Sequence, residues 1–243
     1  MENILIFKNI YLNKFFLLFL LINILIGNFN YIIPYFLLLF IHEMGHATLG
    51  LIMGYHLDKI MFYPLGGVTI FNLPINIPLK RELLITIAGP IFQILGYILL
   101  VPFFPFIKAY HYTLLIFNLL PIYPLDGGKI FNIICSYFWN YLVSFNITFI
   151  ISLIILIGLF CYNIKFFNLN LFLMMLVMFF KIIKIYQKRY FYYERMLLER
   201  YLYNYHFSKI KNIHSINSFY RDNFHYINFK DEKSFLIKYF KKN

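Results

Sequence analysis

The sequence predicts an all-α polytopic membrane protein with about six transmembrane helices, a re-entrant strand or loop, and a short basic cytoplasmic tail. Of its 243 residues, 61% are apolar and 13% are charged. Soluble domains are usually about 45–50% apolar and about 25% charged. Several apolar runs also approach the roughly 20 residues that a helix needs to cross a bilayer. These features favour a chain built inside a membrane.

Apolar runs divide the chain into a membrane-embedded domain, 1–186, and a basic C-terminal tail, 187–243. Each long apolar run is predicted to be one transmembrane span. The predicted spans lie near 9–27, 31–54, 83–106, 110–134, 142–161 and 166–186. No small-residue cleavage site follows the first run, so it is predicted to be retained rather than removed as a signal peptide.

Positive charge predicts the orientation of the chain in the cell membrane. Residues 181–243 contain 14 Lys and Arg against 5 Asp and Glu, a net charge of +9. Because basic loops stay on the cytoplasmic side, the C-terminus is predicted to be cytoplasmic, and six spans place the N-terminus there too. Lys8 and Lys14 agree with this orientation, whereas Lys108 and Lys165 do not. No nucleic-acid-binding motif accompanies the charge, so the expected partner is the lipid bilayer and not nucleic acid.

The segment 55–82 cannot form one continuous helix, because it contains three prolines and the pair Gly66 and Gly67. Its centre, MFYPLGGVTIF, is nevertheless apolar and rich in strand-forming residues. Irregular backbone at membrane depth is tolerated only where it is buried in protein or lines a wet cavity. We therefore expect a re-entrant strand or loop beside a cavity, with an amphipathic surface loop as the alternative.

His42, Glu43 and His46 form an HExxH pattern within the second apolar run. On a helix the two histidines are one turn apart and point the same way, which suits two positions of a tetrahedral zinc ion. Glu43, about 100° further around the helix, can act as a general base on water that the metal activates. Ionisable residues inside a span usually mark a functional site. The pattern predicts one zinc ion per chain and a hydrolytic reaction.

Asp126, in the run NLLPIYPLDGGKIF, is the acidic candidate for a third ligand. Pro121 and Pro124 break the helix before it and a Gly-Gly pair follows it, so the backbone can turn the carboxylate inward. The charge-derived topology places the two histidines in the inner half of span 2 and Asp126 near the inner end of span 4. All three are therefore expected at comparable depth on the cytoplasmic side.

Two other functions are compatible with these residues. A membrane transporter or channel could use the same His, Glu and Asp cluster to carry a metal ion or a proton. A non-catalytic membrane scaffold could also retain the pattern. Loss of cleavage with retention of zinc in a Glu43→Gln protein would identify a protease, and stoichiometric zinc would argue against a scaffold.

The combination of HEMGHA with NLLPIYPLDGGK about 80 residues later resembles the site-2 proteases, the intramembrane zinc metalloproteases of peptidase family M50. The similarity is greatest to the branch of the stage IV sporulation protease, and AGP at 88–90 and LGG at 65–67 also fit. The resemblance implies that the zinc ligands are His42, His46 and Asp126. It implies that Glu43 is the catalytic acid and base.

The resemblance further implies a substrate-binding set beside the metal. Asn118 and Pro124 would shape the site, and Gly66 and Gly67 would lie in a segment, Pro64–Phe71, that pairs with an unwound substrate strand. The implied substrate is a membrane-associated sporulation sigma-factor precursor, and inhibitory membrane proteins are possible partners. Gln93 stands where the family often has Asn, so the resemblance does not decide whether Gln93 contacts the substrate.

Overall fold

The computed structural model describes residues 4–7, 9–27, 29–63, 66–104, 106–207, 209–227 and 230–242. Lys8, Pro64 and Leu65, which entered the expectations above, lie outside these residues. The described chain is mostly helical and forms two compact units. The first unit contains Met1–Leu73 and Leu84–Leu120, and the second contains Pro74–Leu83 and Pro121–Asn243. The division between a membrane domain and a tail at residue 186 stays a prediction.

The described residues of the first unit form four strands and four helices. Their order is β1 (Ile4–Phe7), β2 (Ile10–Leu12), α1 (Lys14–Leu25), α2 (Phe29–Ile52), β3 (Leu57–Tyr63), β4 (Gly66–Phe71), α3 (Leu79–Leu100, in this unit from Leu84) and α4 (Ile107–Leu119). The strands form one sheet in the order β1-β2-β3-β4, in which β2 and β3 are parallel and the other pairs antiparallel. The prediction of an all-α fold was therefore too narrow.

The first apolar run begins as a strand rather than as a helix. Residues Ile10–Leu12 pair with β3, and the helix starts only at Lys14. Asn13 separates the two elements: its side chain accepts a hydrogen bond from the backbone N–H of Phe15 at 2.9 Å, which is the usual action of a helix N-cap. Its own backbone N–H donates to the carbonyl of Phe62 at 3.1 Å. The helix start is thus anchored to the sheet.

Aromatic side chains hold α2 against the sheet of the first unit. Phe62 of β3 is fully buried, and its ring centroid lies 5.5 Å from that of Phe36 and 6.0 Å from that of Phe40. Phe36 and Phe40 are four residues apart on α2, so one face of the helix carries both rings. This packing fixes the rotation of α2 about its own axis, and therefore the direction in which the HExxH side chains point.

Three described helices are long and apolar enough to cross a membrane. They are Ile32–Ile52 within α2, Leu79–Leu100 and Tyr141–Lys165. The fourth predicted span is divided, because one helix ends at Leu119 and the next begins only at Asp126. Multi-pass insertion agrees with these helices, but the count of six spans stays a prediction.

The described residues of the second unit continue with five α-helices, a short 3-10 helix (Ile216–Ser218) and a small sheet. Its elements are α5 (Asp126–Phe138), α6 (Tyr141–Lys165), α7 (Leu169–Gln187), α8 (Arg189–Leu202), β5 (Lys209–Ile213), β6 (Asn223–Ile227), β7 (Lys230–Asp231) and α9 (Glu232–Lys242). Strands β5 and β6 are parallel, and β6 and β7 are antiparallel. The tail contains a small α/β fold, where the sequence predicted only a short basic segment.

A buried ion pair organises this tail. The guanidinium of Arg200 donates to the carboxylate of Glu232 at 2.9 Å and to the carbonyls of Tyr220 and Arg221 at 2.7 and 2.6 Å. His225 also contacts the Glu232 carboxylate, at 3.0 Å from its Nδ1. A buried charge is tolerated only with such partners, because its desolvation costs on the order of several kcal/mol in a protein interior. Residues from α8, β6 and α9 are thereby joined.

Candidate metal centre

Helix α2 brings His42 and His46 together on one face, as their spacing predicts. Both side chains are buried, and their Nε2 atoms lie 3.2 Å apart. A tetrahedral zinc ion with Zn–N bonds of about 2.0–2.1 Å holds two nitrogen ligands about 3.3 Å apart. The pair is therefore spaced for two positions of one zinc ion.

The hydrogen bonds of the two rings indicate that both Nε2 atoms present lone pairs. The Nδ1 of His46 lies 2.8 Å from the carbonyl oxygen of Ile85, which can only accept, so this nitrogen carries the proton. The amide of Gln93 donates to the carbonyl of His111 at 3.1 Å, and its Oε1 lies 3.0 Å from Nδ1 of His42. That oxygen also accepts, so the proton of His42 is on Nδ1. The two histidines are therefore suited to bind a metal ion, because metal-binding histidines usually donate their other ring N–H to an acceptor in this way.

Two glycines allow helix α3 to approach this pair. A Cβ atom added to Gly89, in the AGP motif, would lie 2.3 Å from Nε2 of His46. A Cβ atom added to Gly45, inside HEMGH, would lie 2.6 Å from the carbonyl oxygen of Ala88. Real Cβ contacts are not this short, so each position requires glycine. The glycine of the AGP motif therefore allows α3 to pack closely against α2.

Glu43 is buried between α2 and strand β4. The hydroxyl of Thr69 donates to Oε2 of Glu43 at 2.6 Å and lies 3.2 Å from the Glu43 carbonyl oxygen. A Cβ atom added to Gly67 would lie 2.4 Å from Cγ of Glu43. Strand β4 therefore lies beside Glu43, and Gly67 contacts that residue, while a re-entrant position beside a cavity stays a prediction.

Gly66 and Asn118, the other site residues predicted in the first unit, have distinct settings. Gly66 opens β4 with φ of 144°, a conformation that favours glycine. The side-chain nitrogen of Asn118, on α4, lies 3.5 Å from Nε2 of His42. Asn118 therefore lies beside the ring nitrogen of His42 that would be free to bind a metal ion.

The second unit contains Asp126 and Pro124. Asp126 is buried at the first position of α5, where the helix dipole favours a carboxylate, and its Oδ1 lies 3.5 Å from Nζ of Lys129. A Cβ atom added to Gly128 would lie 2.4 Å from the backbone of Ile122 and Tyr123. The PLDGG run thus forms a tight turn into α5, with Pro124 after a cis peptide bond.

A polar stripe on α6 supports this turn and was missed at the sequence level. Ser144, Thr148 and Ser152 recur every four residues and are buried. The hydroxyl of Ser152 accepts from the backbone N–H of Tyr123 at 2.9 Å, and that of Thr148 accepts from the Asn132 amide at 3.0 Å. Their spacing in an apolar helix is the signal that could have identified them.

Comparison with protein families gives a match to the part of the chain that contains the histidine pair. Residues 30–112 match the model of peptidase family M50. The match includes the HExxH helix, strand β4 and the AGP motif, but it ends before Asn118 and Asp126.

Two curated proteins and one solved structure are similar to the chain. A zinc metalloprotease of Methanocaldococcus jannaschii is 39% identical over 129 residues, which is 46% of this chain but only 37% of that protein. Stage IV sporulation protein FB of Bacillus subtilis is 28% identical over 192 residues, 74% of this chain and 67% of that protein. The structure of a site-2 protease from M. jannaschii superposes with a TM-score of 0.58 and 28% identity, over 75% of this chain and 94% of that one.

Proposed function

Because the chain contains a peptidase family M50 domain of the site-2 protease type, we propose that it is an intramembrane zinc metalloprotease that hydrolyses a peptide bond of a membrane-associated protein. The observation that carries this proposal is the buried histidine pair, with Nε2 atoms 3.2 Å apart, next to a buried glutamate. Family membership favours a protease over a transporter that uses the same residues.

The proposed ligand set is His42, His46 and Asp126, three residues whose side chains are buried and of types that bind zinc. Two neutral imidazoles and one carboxylate leave one position of a tetrahedral zinc ion for water or substrate. Bound zinc would supply the Lewis acidity that makes water nucleophilic at neutral pH. Gln93 and the Ile85 carbonyl keep the two rings in the tautomer that ligation requires.

Glu43 is the proposed general base. Its position next to His42 in the sequence, on the same helical turn, places a carboxylate beside the metal ligands without making it one of them. The carboxylate would take a proton from the attacking water and then give it to the leaving amine. Asn118 and Pro124 would shape the space for the substrate near this site.

Strand β4 is the proposed docking edge for the substrate. It is the last strand of the described sheet, so one of its edges has no strand partner among the described residues. A helical peptide bond is shielded by its own hydrogen bonds and must be extended before attack, and an extended segment can add to a sheet edge. Gly66 and Gly67 open this strand, so no side chain projects from its first two positions.

The proposed substrate is a precursor of a sporulation sigma factor. The similarity to stage IV sporulation protein FB supports this choice. Inhibitory membrane proteins are proposed as partners on the same basis. The excess of positive charge in the tail supports a cytoplasmic C-terminus, a cytoplasmic N-terminus and a site that opens to the cytoplasm.

Co-expression with membrane-tethered precursors tests the proposal. The set includes a sporulation sigma-factor precursor, and the chain is expressed as wild type or as His46→Ala, which lacks one proposed ligand. We expect at least one precursor to be shortened by the wild type alone. If a zinc-loaded wild type leaves every precursor intact, the protease function is wrong and a transporter becomes the better explanation.

A further inference from the structure

Alternate residues of β4 face helix α2 along the length of the strand. Gly67 and Thr69 contact Glu43, and Phe71 contacts Gly50, where an added Cβ atom would lie 2.3 Å from the Phe71 ring. Successive side chains of a strand point to opposite faces, so this pattern defines the inner face of β4. Thr69 is its hydroxyl-bearing member.

The hydrogen bond from Thr69 to Glu43 is short, as expected for a hydroxyl that donates to a carboxylate oxygen. Its length of 2.6 Å falls in the range of about 2.5–2.7 Å for a hydroxyl that donates to a carboxylate. The hydroxyl has one proton, and the other nearby acceptor, the Glu43 carbonyl, is more distant at 3.2 Å. That carbonyl lies inside a helix, where a backbone N–H group already donates a hydrogen bond to each carbonyl oxygen. The proton therefore belongs to the carboxylate bond.

The surroundings restrict the Glu43 side chain to one arrangement. Threonine is β-branched and has few rotamers in a strand, so its hydroxyl is a fixed donor. Gly67, two residues earlier on the same face, lies against Cγ, Cδ and Oε1 of Glu43. One residue thus supplies a hydrogen bond and the other a close backbone surface, and together they limit rotation of the carboxylate.

We infer that Thr69 is a positioning residue that holds the Glu43 carboxylate in its working orientation. The inference rests on the proposed protease function and adds to it a residue outside the HExxH and LDG motifs. Preorganised groups accelerate a reaction because their orientation costs nothing at the moment of reaction. Loss of the hydroxyl should therefore reduce turnover and leave substrate affinity and zinc binding unchanged.

Thr69→Val tests the inference, because it exchanges the hydroxyl for a methyl group and keeps the branched shape. Thr69→Ser keeps the hydroxyl, and Thr113→Val is a matched control at an exposed threonine whose hydroxyl donates to the Ala109 carbonyl within α4. The full-length proteins are purified and reconstituted in lipid vesicles. The probe is the single-span reporter that the wild type cleaves fastest from a library of juxtamembrane sequences.

We expect Thr69→Val to lower kcat by about 10- to 100-fold, the effect of one hydrogen bond to a charged group. KM, zinc content and the thermal unfolding temperature should stay close to wild type, and Thr69→Ser should restore most of the turnover. Unchanged kcat in Thr69→Val would overturn the inference, as would a loss of zinc or a change confined to KM. If the wild type itself cleaves no reporter, the proposed function fails first and the inference falls with it.

Discussion

The hydrogen bond between Gln93 and His42 gives the most quantitative prediction. Gln93→Leu removes an acceptor 3.0 Å from Nδ1 of His42 and a donor 3.1 Å from the carbonyl of His111, both in the buried interior. The His42 ring would then be drawn toward the tautomer with its proton on Nε2, the nitrogen that faces the metal position. Metal binding should weaken, because a proton competes for the ligand atom.

The expected loss can be estimated in two ways. A buried polar group left without its partner costs about 1–3 kcal/mol. Removal of a residue that orients a metal ligand typically weakens metal binding by about 10- to 100-fold, which corresponds to about 1.4–2.8 kcal/mol. The two estimates agree, so the zinc Kd of Gln93→Leu should rise by about 10- to 100-fold.

Competition with a chromophoric chelator measures this Kd on the purified full-length chain. The matched control is Gln187→Leu, because Gln187 is exposed at the end of α7. The control should bind zinc as the wild type does, and His42→Ala should lose most of its affinity. If Gln93→Leu binds zinc within about two-fold of the wild type while His42→Ala does not, Gln93 does not set the tautomer.

Three further predictions follow from the same structure. Gly89→Ala puts a Cβ atom 2.3 Å from Nε2 of His46, so zinc content should fall well below one per chain by metal analysis; full occupancy would contradict the packing. Asp126→Asn should raise the zinc Kd in chelator competition by at least about 10-fold, since a neutral amide is a poorer ligand than a carboxylate; an unchanged Kd would exclude Asp126 as a ligand. Burial holds the pKa of His225 below its ordinary value, with Arg200 and Lys211 acting in the same direction and Glu232 opposing. The neutral ring therefore stabilises the tail above about pH 6.5, and this contribution is lost as the pH falls below that value. The corrected hydrogen-exchange protection of β6 should decrease between about pH 7.5 and about pH 5.5, and equal protection at both would contradict this.

The local part of the site was predictable from the sequence because it depends on spacing along one helix. His42 and His46 needed only a helical turn to meet, and the structure places them 3.2 Å apart. The break before Asp126 was also predictable, because Pro121 and Pro124 exclude a continuous helix. The helix boundaries at Leu119 and Asp126 agree with that expectation.

The partners of these residues were not predictable, because they come from distant parts of the chain. Thr69 is 26 residues from Glu43, and Gln93 is 51 residues from His42. Neither belongs to a motif whose spacing would pair it with its partner. Only the folded backbone brings a strand hydroxyl and a helix amide to the two sides of the HExxH helix.

The strands were missed for a related reason. The run that starts at Ile10 is apolar enough to suggest a span, and only pairing with β3 makes it a strand. The same holds in the tail, where β5 and β6 are parallel neighbours separated by a connecting segment. Strand identity in such short apolar or mixed segments depends on tertiary pairing more than on local preference.

The central claim is that Glu43 carries out peptide hydrolysis beside a zinc ion bound by the histidine pair. Its most direct test measures zinc content and reporter cleavage in the same reconstituted samples of wild type and Glu43→Gln. We predict one zinc per chain in both proteins, cleavage by the wild type, and no detectable cleavage by Glu43→Gln. Undiminished cleavage by Glu43→Gln, or a zinc-loaded wild type that cleaves no reporter, would contradict the claim.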